Sequence, residues 1–247
     1  MKEEKFFDRE NYLGVLEKRV LGLKDGYRQN IAILGDELIG KTSLIFKFMN
    51  RFYDNRIILV YLDVRPESLT SFAYRFIAVL LYNFLKNSGM PLKEELDFLI
   101  RKSSGYIPET VERIKYILKG LEKRQRNHIF SDLLSLCEII HRETGKSCVL
   151  IFDEFHNLEH SGVKNIYAEW SKILLVQKNT MHLITSSARH RAQAVLSKNL
   201  SLLFGNFEVL NIEPFDVKTS EEYLREFFKD INLSAALRNF LVHFTGG

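Results

Sequence analysis

The chain has 247 residues and a formal net charge of +4. Its composition, 46% hydrophobic and 27% charged with 4 Pro and 13 Gly, excludes a disordered or fibrous protein. The small positive charge neither requires nor excludes a nucleic-acid partner. Two cysteines give no disulfide framework and the charged N-terminus lacks the apolar core of a signal peptide, so we expect a globular cytoplasmic protein. The most apolar stretch, 76–85, is too short to span a bilayer.

Short apolar runs rich in β-branched residues alternate along the chain with longer segments of helical period. This alternation predicts an α/β fold with a parallel sheet, because strands covered by helices on both faces are almost continuously apolar. A helix over 8–19, with Asp8 as its N-cap, should precede the first strand. The five predicted strands are 30–35, 57–64, 148–153, 182–187 and 207–212.

The segment 65–147, between the second and third strands, is far longer than a single crossover helix requires. Its apolar residues recur with helical period, so we expect a helical insertion on the α/β core. The helices predicted within it are 71–86, 92–102, 109–119 and 129–142.

The tail after the fifth strand changes character. A turn at 213–216 should lead into an amphipathic helix that ends at Phe228 and is capped by Thr219 or Ser220, and a further helix is predicted at 234–243. The final Gly-Gly pair resembles a helix end whose continuation has been removed. We therefore expect the sequence to be a truncated part of a longer chain.

The most specific motif is the segment 35–42, which fits the pattern G-x-x-x-x-G-K-[ST] between a predicted strand and a helix predicted at 42–52. In this pattern, glycines let successive amides turn toward a β-phosphate, and the helix N-terminus points at the same group. Lys41 should reach the β- and γ-phosphate oxygens, and the Thr42 hydroxyl should ligate Mg²⁺. The predicted nucleotide-binding residues here are Gly35, Asp36, Glu37, Leu38, Ile39, Gly40, Lys41, Thr42 and Ser43.

A second motif ends the third strand, where four apolar residues are followed by Asp153 and Glu154. A buried strand that ends in two carboxylates delivers both to the sheet edge where ligands of open α/β sheets bind. Asp153 should hold Mg²⁺ through water, and Glu154 should orient and polarise the attacking water. The alternative is that these residues merely terminate a strand. A carboxylate that recruits water favours hydrolysis over transfer of phosphate to a small molecule.

The fourth strand ends in Thr185-Ser186-Ser187, and we expect it to lie between the strands of the two motifs. Ser186 or Ser187 is then a candidate to contact the attacking water or a phosphate oxygen. Arg189 is a candidate to stabilise transition-state charge, although a surface role for it is equally compatible with the sequence. His156 and His160 lack the remainder of a zinc-protease motif, and His156 is better placed as a polar group near the γ-phosphate.

Taken together, these motifs resemble the archaeal-type P-loop ATPases of the STAND class, which are related to AAA+ origin-recognition initiators. The resemblance rests on the phosphate loop, on LIFDEF and LITSSAR, and on the FDRE, EPFDVKTSEEYL and FTGG segments. It implies an additional-strand P-loop NTPase fold that binds ATP or ADP with Mg²⁺. It also implies that Phe7 and Arg9 lie near the adenine and that Pro214 is the hinge of a helical lid.

We expect an ATPase core at 1–213, which contains the insertion at 65–147, and, as the resemblance implies, the start of a lid at 214–247. Because 197–206 lacks the arginine of a ring-forming motor, the leading hypothesis is an ATPase that acts as a nucleotide-dependent switch. A lid residue that reads the γ-phosphate would lie beyond Gly247, so hydrolysis by this chain alone could be weak.

The alternative is an initiator-like, DNA-associated module whose DNA-binding domain lies beyond the C-terminus. A protein partner is equally open. A basic stretch could contact nucleic acid, but a solvated helix end explains it more simply. This stretch consists of Lys115, Lys119, Lys123, Arg124, Arg126 and His128.

Overall fold

A computed structural model describes residues 7–123, 128–200, 207–229, 231 and 233–245. Within this part of the chain, five strands form one parallel sheet in the order β2-β3-β4-β1-β5. The predicted parallel sheet is confirmed, and β4 does lie between β1 and β3. The strands are β1 (Asn30–Leu34), β2 (Ile57–Asp63), β3 (Ser147–Asp153), β4 (Thr180–Ser186) and β5 (Phe207–Asn211).

Helices cover both faces of this sheet, and each helix that the sequence predicts is present with shifted ends. The largest shift is at the end of the first helix, which extends to Lys24 rather than 19, and the second helix of the insertion begins at Leu96 rather than at 92. The helices are α1 (Glu10–Lys24), α2 (Lys41–Arg51), α3 (Leu69–Asn87), α4 (Leu96–Ser103), α5 (Pro108–Glu122), α6 (Ile129–Thr144), α7 (Ile166–Val176), α8 (Arg189–Lys198), α9 (Val217–Phe227) and α10 (Ala235–Thr245). A short 3-10 helix, Phe155–Ser161, follows β3.

Two predicted helix caps are wrong. Arg9, not Asp8, precedes α1, and its side chain makes no capping bond. Helix α9 is capped by Asp216, whose carboxylate accepts from the backbone N–H of Thr219 at 2.7 Å, so the predicted caps lie inside the helix. Asp216 caps the helix because its backbone is extended and its carboxylate accepts a hydrogen bond from the first turn.

Alternation along each strand divides its apolar residues between two cores. In β3, Leu150 and Phe152 face the helices of the insertion, whereas Val149 and Ile151 face α1 and α2. The same parity carries Asp153 to the α2 side of the sheet. The fold thereby places the carboxylate of β3 opposite the first turn of α2.

A buried polar network ties the sheet to the insertion side. The His182 Nδ1 accepts a hydrogen bond from the Trp170 indole at 3.1 Å, and its Nε2 lies 2.8 Å from Oε1 of the Gln177 side chain. The Gln177 amide in turn donates to the Leu134 carbonyl at 2.8 Å. Complete burial of the imidazole, with Arg28 adding a smaller effect, lowers the pKa of His182 to about 3. The ring is therefore neutral and holds one tautomer.

The last two helices bury few side chains, since Ser220 is the buried residue of α9 and Val242 that of α10. Phe7 lies against the rings of Phe215, Tyr223 and Phe227, with centroid distances of 6.0, 5.7 and 5.9 Å.

The boundary at 213/214 and the limits of the insertion remain predictions. Within the described ranges, no helix has the length and apolar character needed to cross a membrane. Arg124, Arg126 and 201–206, which bear on the nucleic-acid and ring-motor hypotheses, lie outside the described residues.

Candidate functional site

The loop between β1 and α2 requires glycine at both ends. A Cβ on Gly35 would lie 2.8 Å from the Ile39 side chain and 2.9 Å from the Ile212 carbonyl oxygen, closer than packed atoms allow. Gly40 precedes α2 with a φ of +95°, in the left-handed region that favours glycine. Asp36, Glu37 and Leu38 between them are exposed. The loop is therefore compact at its base and open at its tip.

Lys41 fills the inside of this loop. The residue is 4% exposed, and its Nζ donates to the carbonyl oxygens of Gly35 at 3.0 Å and Asp36 at 2.9 Å. The same Nζ lies 3.5 Å from Oε1 of Glu154. A buried ammonium group is thus held between the loop and the carboxylate after β3, as a site for negative charge requires. Ser43, two residues later in α2, is half-buried.

Asp153 accepts hydrogen bonds from three hydroxyl groups. Its Oδ2 lies 2.7 Å from the Thr42 hydroxyl and 2.8 Å from the Tyr61 hydroxyl, and its Oδ1 accepts from Thr185. The carboxylate is 3% exposed. Burial, and next the charge of Asp153, raise the pKa of Tyr61 well above its usual value. The two predicted Mg²⁺ ligands, Thr42 and Asp153, are brought into direct contact.

Tyr61 and Thr185 are site residues that sequence analysis did not assign. Tyr61 pairs with Ile151 in the β2–β3 register, so it shares a face with Asp153 two residues on. Thr185 lies on β4 beside β3. The period-2 pattern together with the strand order would have indicated both.

The donor set fits a hard divalent cation. A hydroxyl in the first turn of a phosphate-loop helix and a carboxylate oxygen opposite that turn are ligands that Mg²⁺ uses, with phosphate and water completing its shell. In the described residues, no group of three or more His, Cys, Asp or Glu side chains could hold a metal alone.

Glu154 has a strained backbone and a well-defined side chain. Its φ is +55°, unusual for a residue other than glycine, and its N–H donates to the Thr185 hydroxyl at 3.1 Å. Oε2 accepts from the Ser187 N–H at 2.8 Å and from the Ser187 hydroxyl at 2.9 Å. His156 Nδ1 lies 3.3 Å from the same oxygen. Backbone strain of this kind often marks functional positions.

Ser186 and Arg189 both contact protein groups at the edge of the site. The Ser186 hydroxyl lies 2.9 Å from His156 Nδ1 and accepts from the Ala188 N–H at 3.1 Å. Arg189 donates to Glu213 at 2.9 Å and to the Ile212 carbonyl at 2.7 Å, and its Nε lies 3.2 Å from Asp36 Oδ1.

The hydrogen bond with Glu213 raises the pKa of Arg189 above its usual value. This arginine links the tip of the phosphate loop to the segment that enters α9.

A cavity of about 410 Å³ lies between the phosphate loop and the last two helices. Arg9, 7% exposed, donates to the Ile39 carbonyl, and its guanidinium carbon lies 4.8 Å from the centre of the Phe215 ring. Burial lowers the pKa of Arg9. The volume and apolar walls suit a flat heterocycle. The lining residues are Arg9, Leu38, Ile39, Phe215, Ser220, Tyr223, Leu224, Phe228, Leu241, Val242 and Thr245.

The three residues expected near the adenine differ in their placement. Arg9 lines the cavity, whereas Phe7 and Pro214 are not among the described residues that line it. Phe7 packs behind Phe215, and Pro214 is exposed.

A family model described as "ATPase domain predominantly from Archaea" matches residues 6–247. The chain belongs to this family. It is therefore a P-loop ATPase domain, in agreement with the loop and the carboxylates described above. No curated protein sequence matches the chain.

Solved structures show the same fold at low sequence identity. The Walker-type ATPase paby2304 of Pyrococcus abyssi is 20% identical with a TM-score of 0.54, over 98% of this chain and 64% of that one. The ADP form of the Aeropyrum pernix ORC2 protein is 13% identical with a TM-score of 0.54, over 92% and 53%. The A. pernix ORC1 protein in complex with DNA is 11% identical with a TM-score of 0.51, over 91% and 50%. The chain spans half to two thirds of these proteins.

Proposed function

We propose that the chain binds and hydrolyses ATP and acts as a nucleotide-dependent switch. One observation carries the proposal: the phosphate-loop helix and the end of β3 meet, with Thr42 2.7 Å from Asp153 and Lys41 3.5 Å from Glu154. The Lys41 ammonium, the Thr42 hydroxyl and the two carboxylates then surround the place that a γ-phosphate would occupy.

Each of these residues has a defined chemical role in the proposal. Lys41 leaves the loop carbonyls to bind the β- and γ-phosphate oxygens, and Glu154 accepts a proton from the attacking water. Thr42 and Asp153 are the residues that would hold Mg²⁺, which when bound neutralises charge on the phosphates. Tyr61 and Thr185 orient Asp153 through their hydroxyls.

The switch itself is assigned to the segment 214–247, with Pro214 as its hinge. The base would enter the cavity between the phosphate loop and α9, where Arg9 bridges Ile39 and Phe215. ATP and ADP would then set different positions of α9 and α10, and Arg189 would pass the change from Asp36 to Glu213. The STAND class and a cytoplasmic location are further parts of the proposal.

The deciding experiment is steady-state ATP turnover with Mg²⁺, together with ATP binding, for the wild type and two variants. Glu154→Gln should bind ATP normally and lose at least about 100-fold in kcat. Lys41→Ala should lose tight binding. Glu112→Gln, an exposed carboxylate on α5, is the matched control and should change neither quantity. Equal turnover by Glu154→Gln and wild type would refute the role of Glu154.

A DNA-associated role is the second candidate, favoured by the fold similarity to the ORC1 protein crystallised with DNA. The same turnover assay with added duplex DNA separates the two. A rise in kcat that depends on DNA and on Glu154 would favour the initiator-like module. Turnover that is indifferent to DNA would favour a switch that acts on a protein partner.

A further inference from the structure

The two carboxylate oxygens of Glu154 have different surroundings. Oε2 accepts two hydrogen bonds from Ser187, at 2.8 Å from its N–H and 2.9 Å from its hydroxyl, and lies 3.3 Å from His156 Nδ1. Oε1 faces Lys41 Nζ at 3.5 Å. One oxygen is therefore bound on the β4 side, and the other is directed to the phosphate loop.

The backbone makes this orientation reproducible. Glu154 has a φ of +55° and donates its N–H to the Thr185 hydroxyl. This bond fixes the backbone of Glu154 in the turn between β3 and the 3-10 helix. The Ser187 N–H belongs to the residue directly after β4. Because β3 and β4 are paired, the ends of these two strands are held side by side. The Glu154 side chain reaches from the end of β3 to Ser187 at the end of β4.

His156 completes the arrangement around Oε2. Its Nδ1 lies between the Ser186 hydroxyl, at 2.9 Å, and Glu154 Oε2. Its backbone carbonyl accepts a hydrogen bond from the Tyr167 hydroxyl at 3.3 Å, which fixes the 3-10 helix against α7. A hydrogen on Nδ1 suits a carboxylate neighbour, whereas a bare lone pair would repel it.

We propose that Ser187 and His156 are positioning residues that anchor Oε2, so that Oε1 is the oxygen that accepts the proton from water. The assignment rests on the proposed ATP hydrolysis. The water oxygen bonds to the γ-phosphorus, the bond from that phosphorus to the departing ADP oxygen breaks, and the water proton moves to Oε1 and then to the product phosphate. In this proposal Ser187 contacts Glu154, the general base, and does not contact the γ-phosphate.

Kinetic variants test this assignment. Ser187→Ala removes the hydroxyl bond and should lower kcat about 10-fold or more with an unchanged KM for ATP, since misplaced catalytic groups cost that much. Ser187→Thr, which retains the hydroxyl, should restore turnover. His156→Ala should lower kcat, and His156→Asn, which can place an N–H near the Nδ1 position, should recover part of it. Ser135→Ala on α6, whose hydroxyl bonds to the Ser131 carbonyl, is the control.

A thermal-unfolding cycle reads the contact without turnover. Ser187→Ala should lower Tm in the wild-type background and much less in the Glu154→Ala background, because the bonded partner is gone. Equal Tm losses in both backgrounds, or a raised KM with unchanged kcat for Ser187→Ala, would overturn the anchoring role. Absence of Glu154-dependent turnover in the wild type would instead overturn the proposed function and the proton-accepting role together, whatever the Tm cycle shows.

Discussion

The end of β3 and the last two helices are built on opposite principles. Asp153 is 3% exposed and is bonded to three hydroxyl groups, and Glu154 is held by Ser187. In α9 and α10, by contrast, the buried residues are Ser220 and Val242, while Phe240 and Phe244 are 59% and 77% exposed. One region is pre-organised, and the other buries little surface.

The difference shows where the molecule can respond to a nucleotide at low cost. Reorienting a carboxylate that accepts several hydrogen bonds is expensive, whereas shifting helices that bury few side chains disturbs few contacts. Arg9, which joins the Ile39 carbonyl to the Phe215 ring, and Arg189, which joins Asp36 to Glu213, connect the two regions. Variants on each side should therefore differ in the kind and size of their effects.

The largest effect is expected in the core behind the pre-organised edge. Trp170 is fully buried and packs against Phe130, Phe152 and Phe155 with centroid distances of 6.0, 5.1 and 6.3 Å. Trp170→Ala should lower the free energy of unfolding by about 3–5 kcal/mol, from the lost burial and the cavity left behind. Urea denaturation measures this change. A loss below about 1 kcal/mol would contradict the packing described.

A pH dependence should follow from the buried network beside that tryptophan. The pKa of His182 is about 3 in the folded state and near 6.5 when unfolded, so below pH 6.5 the unfolded chain binds a proton that the native chain excludes. The contribution of neutral His182 to the free energy of unfolding should be fully present above pH 6.5. Below pH 6.5 the free energy of unfolding should fall by up to about 1.4 kcal/mol per pH unit.

Urea titrations at several pH values should resolve this slope. The less stable His182→Gln variant should lose this contribution, whereas His160→Gln, which changes an exposed histidine, should retain it. Identical slopes for wild type and His182→Gln would assign the pH dependence to other groups.

A smaller effect is expected at the connection between the regions. Arg9→Ala removes a hydrogen bond to the loop and a cation–π contact, so the affinity for ADP should fall about 10-fold, or about 1.4 kcal/mol. Isothermal titration calorimetry measures the difference. Arg51→Ala, which removes an exposed ion-paired arginine on α2, should leave the affinity unchanged. Equal affinities for Arg9→Ala and wild type would separate Arg9 from the nucleotide site.

The smallest effect should come from the exposed face of α10. Phe244 stacks on Phe240 at 5.5 Å but is 77% exposed, so Phe244→Ala should change the free energy of unfolding by no more than about 0.5 kcal/mol. A loss comparable to that of Trp170→Ala, measured in the same urea titration, would show that α10 is an integral part of the core.

The two regions also differ in how far the sequence predicts them. The phosphate loop and the Asp153-Glu154 pair follow from short-range rules, because a strand, a glycine turn and a helix N-terminus are local structures. The continuous apolar runs predicted the parallel sheet. To predict the contact between Thr42 and Asp153, one further rule is enough: alternate residues of a strand face opposite sides of the sheet, which puts Asp153 on the α2 side.

Contacts that depend on side-chain direction were not predictable in the same way. From the sequence, Ser186 or Ser187 was a candidate to contact the attacking water or a phosphate oxygen, and the bond between Ser187 and Glu154 was not anticipated. The sequence left Arg189 open between a transition-state role and a structural one, and its pairing with Glu213 could not be read from the sequence. Asp216 displaced the two expected caps of α9 because sequence alone does not fix which of several polar residues begins a helix.

Hydrogen exchange of the free and the Mg²⁺–ADP-bound protein tests the central claim, that the phosphate edge is pre-formed and the last helices respond. We predict that β1, β3 and β4 are strongly protected in both states, while α9, α10 and the residues around Arg9 gain protection on binding. Large gains in β3 and β4 with unchanged exchange in α9 and α10 would contradict it.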